Sequence, residues 1–265
     1  MHPIEHLRHV ARARNVDAAT LVHETAVAMS AMRFDPDALV VACRRVVQRQ
    51  ADCGPLWWFA SRLLCAGDPE ESIWDLVAEI SDDETPRHLA RQMPDDATVV
   101  VIGGGDQLVD GLVRRGDLRG LCVDSHHSGT AVLRRLERAE VACEPVAPEG
   151  LGGAIAAASL VLIQTPAAST SRALGPAGSL AASLVARQHA TPVWLVTPVG
   201  TVLPDQYLEY IIECTVDTDR PWEAEFELIG LDLIDSVVTP DGVVAPDDLA
   251  SGCPFAPELL RVSAI

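Results

Sequence analysis

The segment Asp124-Ser-His-His-Ser-Gly129 holds a carboxylate, two hydroxyls and two imidazoles in six consecutive positions. Carboxylate and imidazole commonly share proton transfers, so Asp124, His126 and His127 are candidate acid–base groups. Ser125 and His126 are also candidate contacts to a sugar phosphate or nucleotide. The paired histidines do not define a metal site, because zinc needs further ligands and no spacing in the chain supplies them. A second segment, Gly103-Gly-Gly-Asp-Gln107, lets the backbone come close to an anion, with a helix N-terminus behind it. Gly103, Gly104, Gly105 and Gln107 are candidate binding positions. Asp106 reads either as a helix cap or as a catalytic carboxylate. The glycines lack the GxGxxG spacing of a dinucleotide fingerprint, so no nucleotide cofactor is expected. A third segment, Gln164-Thr-Pro-Ala-Ala-Ser169, adds Gln164 and Ser169 to the binding set. All three segments also make sense as plain turns, which is the competing reading.

Elements of regular spacing must position these loops. Up to about residue 95 the apolar residues recur at helical intervals, as in Leu39, Val40, Cys43, Val46 and Val47. Helices are expected over about 17–32, 37–50, 55–65, 70–80 and 85–92. Asp35 is the expected N-cap of the second, with Pro36 at its first position. From residue 97 the pattern changes to short β-branched runs alternating with helices. Strands are expected over 98–102, 120–123, 141–146, 160–164 and 192–196, with further ones over 225–229 and 236–239. Such alternation predicts right-handed crossovers and a mainly parallel sheet. The fold class is therefore α/β, with a helical N-terminal domain (1–95) before a Rossmann-like parallel-sheet domain (96–265). Ligands in such sheets lie beyond the carboxyl ends of the strands, where all three loops fall, together with 197–201. Trp57-Trp58 is expected in the core or in a dimer contact.

Composition narrows the chemistry. The 265 residues include 20 basic and 38 acidic ones, a formal net charge of −18. Every basic residue is Arg, so Schiff-base chemistry, a Lys base and a Walker Lys are all excluded. An acidic surface also argues against binding nucleic acid. The seven cysteines show no CxxC spacing and read as reduced thiols. The first 30 residues are interrupted by charges and no apolar run reaches membrane-spanning length, so a cytoplasmic protein without a membrane partner is expected.

The order of these segments resembles one family. It contains the regulatory subunits of eukaryotic translation initiation factor 2B, methylthioribose-1-phosphate isomerase and ribose-1,5-bisphosphate isomerase. Thr98 to Gly105 is similar to the family strand leading into a Thr-His-Cys or Thr-His-Ser loop. Val123 to Gly129 resembles the strand ending in Glu-Ser-Arg-Pro. Leu160 to Gln164 resembles the strand before Gly-Ala-Asp, and Gly178 to Val196 the Gly-Thr helix with its following strand. Val237 to Pro246 resembles the terminal Ile-Thr-Glu-x-Gly segment. The resemblance implies a helical domain before a Rossmann-like one, a homodimer through the latter, and a small phosphorylated ligand. It also exposes departures. Gly105 stands near the family's catalytic Cys, Pro166 near its catalytic Asp, and His126 at its Arg. The family's Asn-Lys pair has no counterpart. The expectation is a diverged protein that binds a phosphorylated metabolite or nucleotide, or acts as a scaffold. The alternative is a sugar-phosphate isomerase with a relocated pair drawn from Asp106, His126 and His127.

Overall fold

The computed structural model describes residues 3–13, 16–31, 35–126 and 128–261. Six helices come first: α1 (Pro3–Val10), α2 (Ala18–Ser30), α3 (Pro36–Arg49), α4 (Gly54–Cys65), α5 (Pro69–Ser81) and α6 (Thr85–Gln92). Their starts follow from local chemistry. Asp17 Oδ1 accepts the Thr20 N–H at 2.8 Å, and Asp68 Oδ1 accepts those of Glu70 and Glu71 at 3.0 and 3.2 Å. Pro36 opens α3 as expected, but the Asp35 side chain makes no capping bond. The proline's preset φ suffices there.

Strands and helices then alternate: β1 (Ala97–Ile102), α7 (Asp106–Arg115), β2 (Leu118–Val123), α8 (Ser128–Arg138), β3 (Ala142–Val146), α9 (Leu151–Ala157) and β4 (Leu160–Gln164). A hairpin follows, β5 (Ala167–Ala168) and β6 (Arg172–Pro176), then α10 (Ser179–His189), β7 (Val193–Val196) and α11 (Asp205–Thr215). The chain closes with β8 (Phe226–Gly230), β9 (Ser236–Thr239) and β10 (Gly242–Val244). The seven-stranded sheet has the order β10-β9-β7-β4-β1-β2-β3, parallel except for β10. The separate β5-β6-β8 sheet is antiparallel.

The central parallel strands β1 and β4 are apolar on both faces because helices cover both. On β1, Val99 and Val101 face a core with Leu108 and Leu112 of α7 and Leu136 of α8. Val100 and Ile102 face the opposite core with Ala182 and Ala186 of α10 and Ile229 of β8. A third core joins the first five helices around Trp57, Phe59 and Leu63. It is completed from far along the chain by Tyr207, Leu208 and Ile211 of α11 and by Leu259. Ser61 Oγ lies 2.9 Å from the Tyr207 hydroxyl, which in turn accepts the Ala256 N–H at 2.7 Å. Burial pushes the Tyr207 phenol up to about 12, so it stays neutral in this network.

Three features go beyond the sequence pattern. Helix α11 and the β5–β6 hairpin fall in stretches where no helix or strand is expected, and α1 precedes the first expected helix. Helix α6 closes the helical run, yet its Leu89 is buried in a sheet-side core against Gly111 of α7. In the C-terminal segment Leu231, Val237 and Val238 are buried by the chain itself, whereas Phe226, Leu228 and Leu233 are only partly covered.

Candidate functional site

The chain runs outward from β1 to β2 and β3, then returns to β4 on the other side of β1. This reversal is a topological switch point, the ordinary place for a ligand crevice in an open parallel sheet. Its walls are the Gly103–Gly105 turn after β1 and Gln164 at the end of β4. Gly103 has φ +75°, a left-handed value suited to glycine, and Pro176 of β6 lies directly over it. A side chain at Gly105 would run into the Gln164 amide. Gln164 Oε1 accepts the Leu108 N–H at 2.9 Å, filling the anion-seeking position at the start of α7. The glycines thus admit the protein's own side chains.

The neighbouring helix starts are treated alike. Asp124 accepts the Thr130 N–H at 3.2 Å and the Thr130 hydroxyl at 3.3 Å, so it caps α8. Glu227 Oε1 accepts the Leu180 N–H at 2.6 Å and so caps α10 from β8. Ser125 donates to the Ala177 carbonyl at 2.7 Å, tying the loop after β2 to the segment that covers Gly103. Gly129 packs against the Val123 carbonyl with no room for a side chain. Asp106 is held in an ion pair with Arg135, which also reaches Asp110 at 2.9 Å. Gly104 and His126 are exposed, the latter with φ +46°, and Gln107 is half-buried. His127 lies outside the described residues.

The structure therefore brings Gly103, Gly105, Ser125 and Gln164 into one packed group. Ser169 stands apart. It is buried in the β5–β6 turn, where its Oγ accepts the Ser171 N–H at 3.4 Å. The length of β6 separates it from Pro176, roughly 13 Å at ~3.3 Å per residue. Burial also pushes the Cys43, Cys122 and Cys253 thiols up to about 12, so none of these is a thiolate nucleophile near neutrality. Among the described residues, no group of three or more His, Cys, Asp or Glu could hold a metal ion, and no helix is long and apolar enough to cross a membrane.

A cleft of about 490 Å³ opens at the same edge, beyond β7 and β9. Its walls are the 197–200 and 239–241 loops, Trp58, and the turn between α5 and α6. Thr197 to Gly200 falls in a strand-end loop noted from sequence, but Asp83, the central acidic group, was not. Asp83 accepts the Thr85 N–H at 2.8 Å and the Val199 N–H at 2.9 Å, clamping the helical region to the sheet region. Burial raises its carboxyl above the ordinary range, against the pull of those bonds. Five more carboxylates line the cleft: Glu79, Asp82, Glu84, Asp241 and Asp248. Arg62 and Arg87 pair with Glu79 and Glu84 at 3.4 and 3.0 Å. Such a field favours a neutral or cationic guest over a phosphate. Trp57 is fully buried against Tyr207, while Trp58 is buried yet contributes to the cleft wall.

This architecture is a known one: a helical region joined to a Rossmann-like sheet, in the arrangement of the translation initiation factor 2B subunits. The factor eIF-2B from Pyrococcus horikoshii OT3 superposes with a TM-score of 0.77 at 14% identity, covering 92% of this chain and 97% of that one. The eIF2B beta subunit of Chaetomium thermophilum gives 0.71 at 16% identity, over 92% and 88% of the two chains. Its delta counterpart gives 0.70 at 15% identity, over 90% and 96%. The fold implied by the ordered segments is thus found. No family model matches the sequence, and no curated protein is similar to it in sequence.

Proposed function

We propose that this chain is a diverged, non-isomerising protein of the initiation factor 2B fold, acting as a homodimeric assembly subunit. Its switch-point crevice is a closed site that a small phosphorylated metabolite or nucleotide enters only by displacing Gln164. The observation that carries this reading is the Gln164 amide on the Leu108 N–H, in the place where an anion would otherwise bind. Proton transfer between sugar carbons has no support at the matching positions. Gly105 and Pro166 carry no acid or base, and Asp106 is held by Arg135. A structural neighbour is described as a tetrameric eIF2B-beta2-delta2 complex, which supports assembly as the working mode of the fold. On this chain, Leu184 of α10 is half exposed and α10 packs on β8, whose Phe226 and Leu228 are only partly covered. That face is the proposed dimer contact.

The test has two parts. Light scattering of the purified chain should give twice the monomer mass. Melting should be raised by sugar phosphates or nucleotides more strongly in Gln164→Ala than in the natural protein. Turnover of methylthioribose-1-phosphate or ribose-1,5-bisphosphate at enzyme-like rates would sink the reading. The isomerase alternative would then stand if Asp106→Asn or His126→Ala abolished it.

A further inference from the structure

Four of the twenty basic residues of this acidic chain line a single groove. A groove of about 550 Å³ runs between α1 and α3. Its apolar floor includes Leu7, Val41 and Ala42, with Val41 left 42% exposed. Its rim carries Arg8, Arg12, Arg45 and Arg49, and no carboxylate lines it. Arg8 pairs with Glu5 at 2.5 Å, whereas Arg12, Arg45 and Arg49 form no ion pair among the described residues. In a chain of net charge −18, an apolar groove edged only by guanidinium groups is complementary to the rest of its own surface.

The opposite feature occurs between α11 and β8. Trp222 is 76% exposed, the largest exposure among the exposed large apolar side chains. It stands on the short turn Pro221–Glu223. That turn is held outward by its own contacts. Asp217 Oδ1 accepts the N–H groups of Asp219 and Arg220 at 2.9 and 3.0 Å, and Arg220 pairs with Glu223 at 2.8 Å. Residues 217–225 carry four carboxylates and one guanidinium, a net −3. An exposed indole ringed by acid is the shape and charge that the groove would receive. Within this chain, Arg62 already stacks over the Trp58 ring at 4.9 Å, the same contact chemistry.

We infer that the α1–α3 groove of one copy receives the Trp222 turn of a second copy. The two patches differ, so the contact is head-to-tail and propagates rather than closing on a two-fold axis. The groove is built by α1 and α3 rather than by α10 and β8, although the Trp222 turn directly precedes β8. The contact is distinct from the proposed homodimer because it pairs unlike patches. One indole and a few ion pairs make a small patch, so the association is weak and salt-sensitive.

Sedimentation velocity on the full chain, from micromolar to near-millimolar concentration, tests this. At low ionic strength the mass should grow beyond the basal species, and that growth should vanish in about 1 M salt, where the Debye length is about 3 Å. Arg45→Glu/Arg49→Glu and Trp222→Ala should each weaken the growth roughly tenfold or more, as expected of central Arg and Trp contacts. All these side chains are exposed, and unchanged melting temperatures would show that both variants fold. The decisive arm mixes the two. Each variant alone should associate at least tenfold more weakly, but the mixture offers an intact groove and an intact Trp222 turn and should pair with the natural strength. Undiminished growth in either variant, a mixture no stronger than the variants alone, or no growth in the natural protein overturns the inference. A basal dimer that survives both substitutions leaves the contact through α10 and β8 separate from this one.

Discussion

The carboxyl edge of the parallel sheet behaves in two ways. Beyond β1, β2 and β4 the loops close on each other: Gln164 covers Gly105, Pro176 covers Gly103, and Asp124 and Glu227 cap the helices behind. Beyond β7 and β9 the edge stays open as an acidic cleft, where Asp83 bridges to the helical region. Glycine packs tightly in both regions, Gly200 of the cleft wall lying against Pro55 and Trp58, but the open end also has a glycine in free space. At the closed end it removes side chains so that the protein packs on itself. At the open end Gly252 has nothing within 4 Å of where a side chain would begin. A glycine-rich loop is therefore no evidence of a ligand until what lies over it is known.

The largest expected effect tests the closed end. Gly129→Ala pushes a methyl group into the Val123 carbonyl and should destabilise the protein by about 3 kcal/mol, measured by denaturant unfolding. A loss below ~0.5 kcal/mol, the range of ordinary surface changes, would mean that this loop is looser than described. Next comes the bridge at the open end. Asp83→Ala removes the acceptor of two backbone N–H groups and should cost about 2 kcal/mol.

The same carboxyl gives the open end a pH signature. Its pKa is raised on folding, so the folded state binds the proton more tightly than the unfolded one. The stability contributed by its protonated form is present below the unfolded value. It is lost as pH rises from there through the raised folded value. The stability-versus-pH slope across that acidic window should therefore be more positive in Asp83→Asn than in the natural protein, because a negative contribution is removed. Equal slopes would show that Asp83 titrates normally.

Two smaller effects sharpen the contrast. Gln164→Ala should cost about 1 kcal/mol for the lost bond to Leu108 and should open the start of α7 to inorganic phosphate or sulfate. A phosphate-dependent rise in melting temperature in this variant, absent from the natural protein, is the expected result. Gly252→Ala should change stability by less than ~0.5 kcal/mol, because it meets open space.

Much of this was legible from local pattern. The helix Thr85–Gln92, the strand Leu160–Gln164 and the strand Ser236–Thr239 coincide with their sequence expectations to the residue. Each is a run whose periodicity is bounded by serine or a change of pattern. The β5–β6 hairpin was not legible, since Ala167-Ala-Ser-Thr-Ser-Arg172 has small residues and little alternation. Its strands exist because β8, 50 or more positions away, supplies the pairing partner for β6. Helix α11 had a readable signal in the spacing of Tyr207, Leu208 and Ile211, with Pro204 just before it. The candidate site was legible as a set of loops, but not as a closed one.

Composition and periodicity by themselves determined that the chain is α/β, acidic, without Lys chemistry, and helical before it is sheet-like. Those properties follow from residue types and from spacings of a few positions, which act within one element. Tertiary structure decided which loop ends are filled and which are open. Whether a backbone N–H at a helix start meets a ligand or an internal amide depends on a residue 56 positions away, as Leu108 and Gln164 show. No local spacing records that distance, because packing of β4 beside β1 creates it.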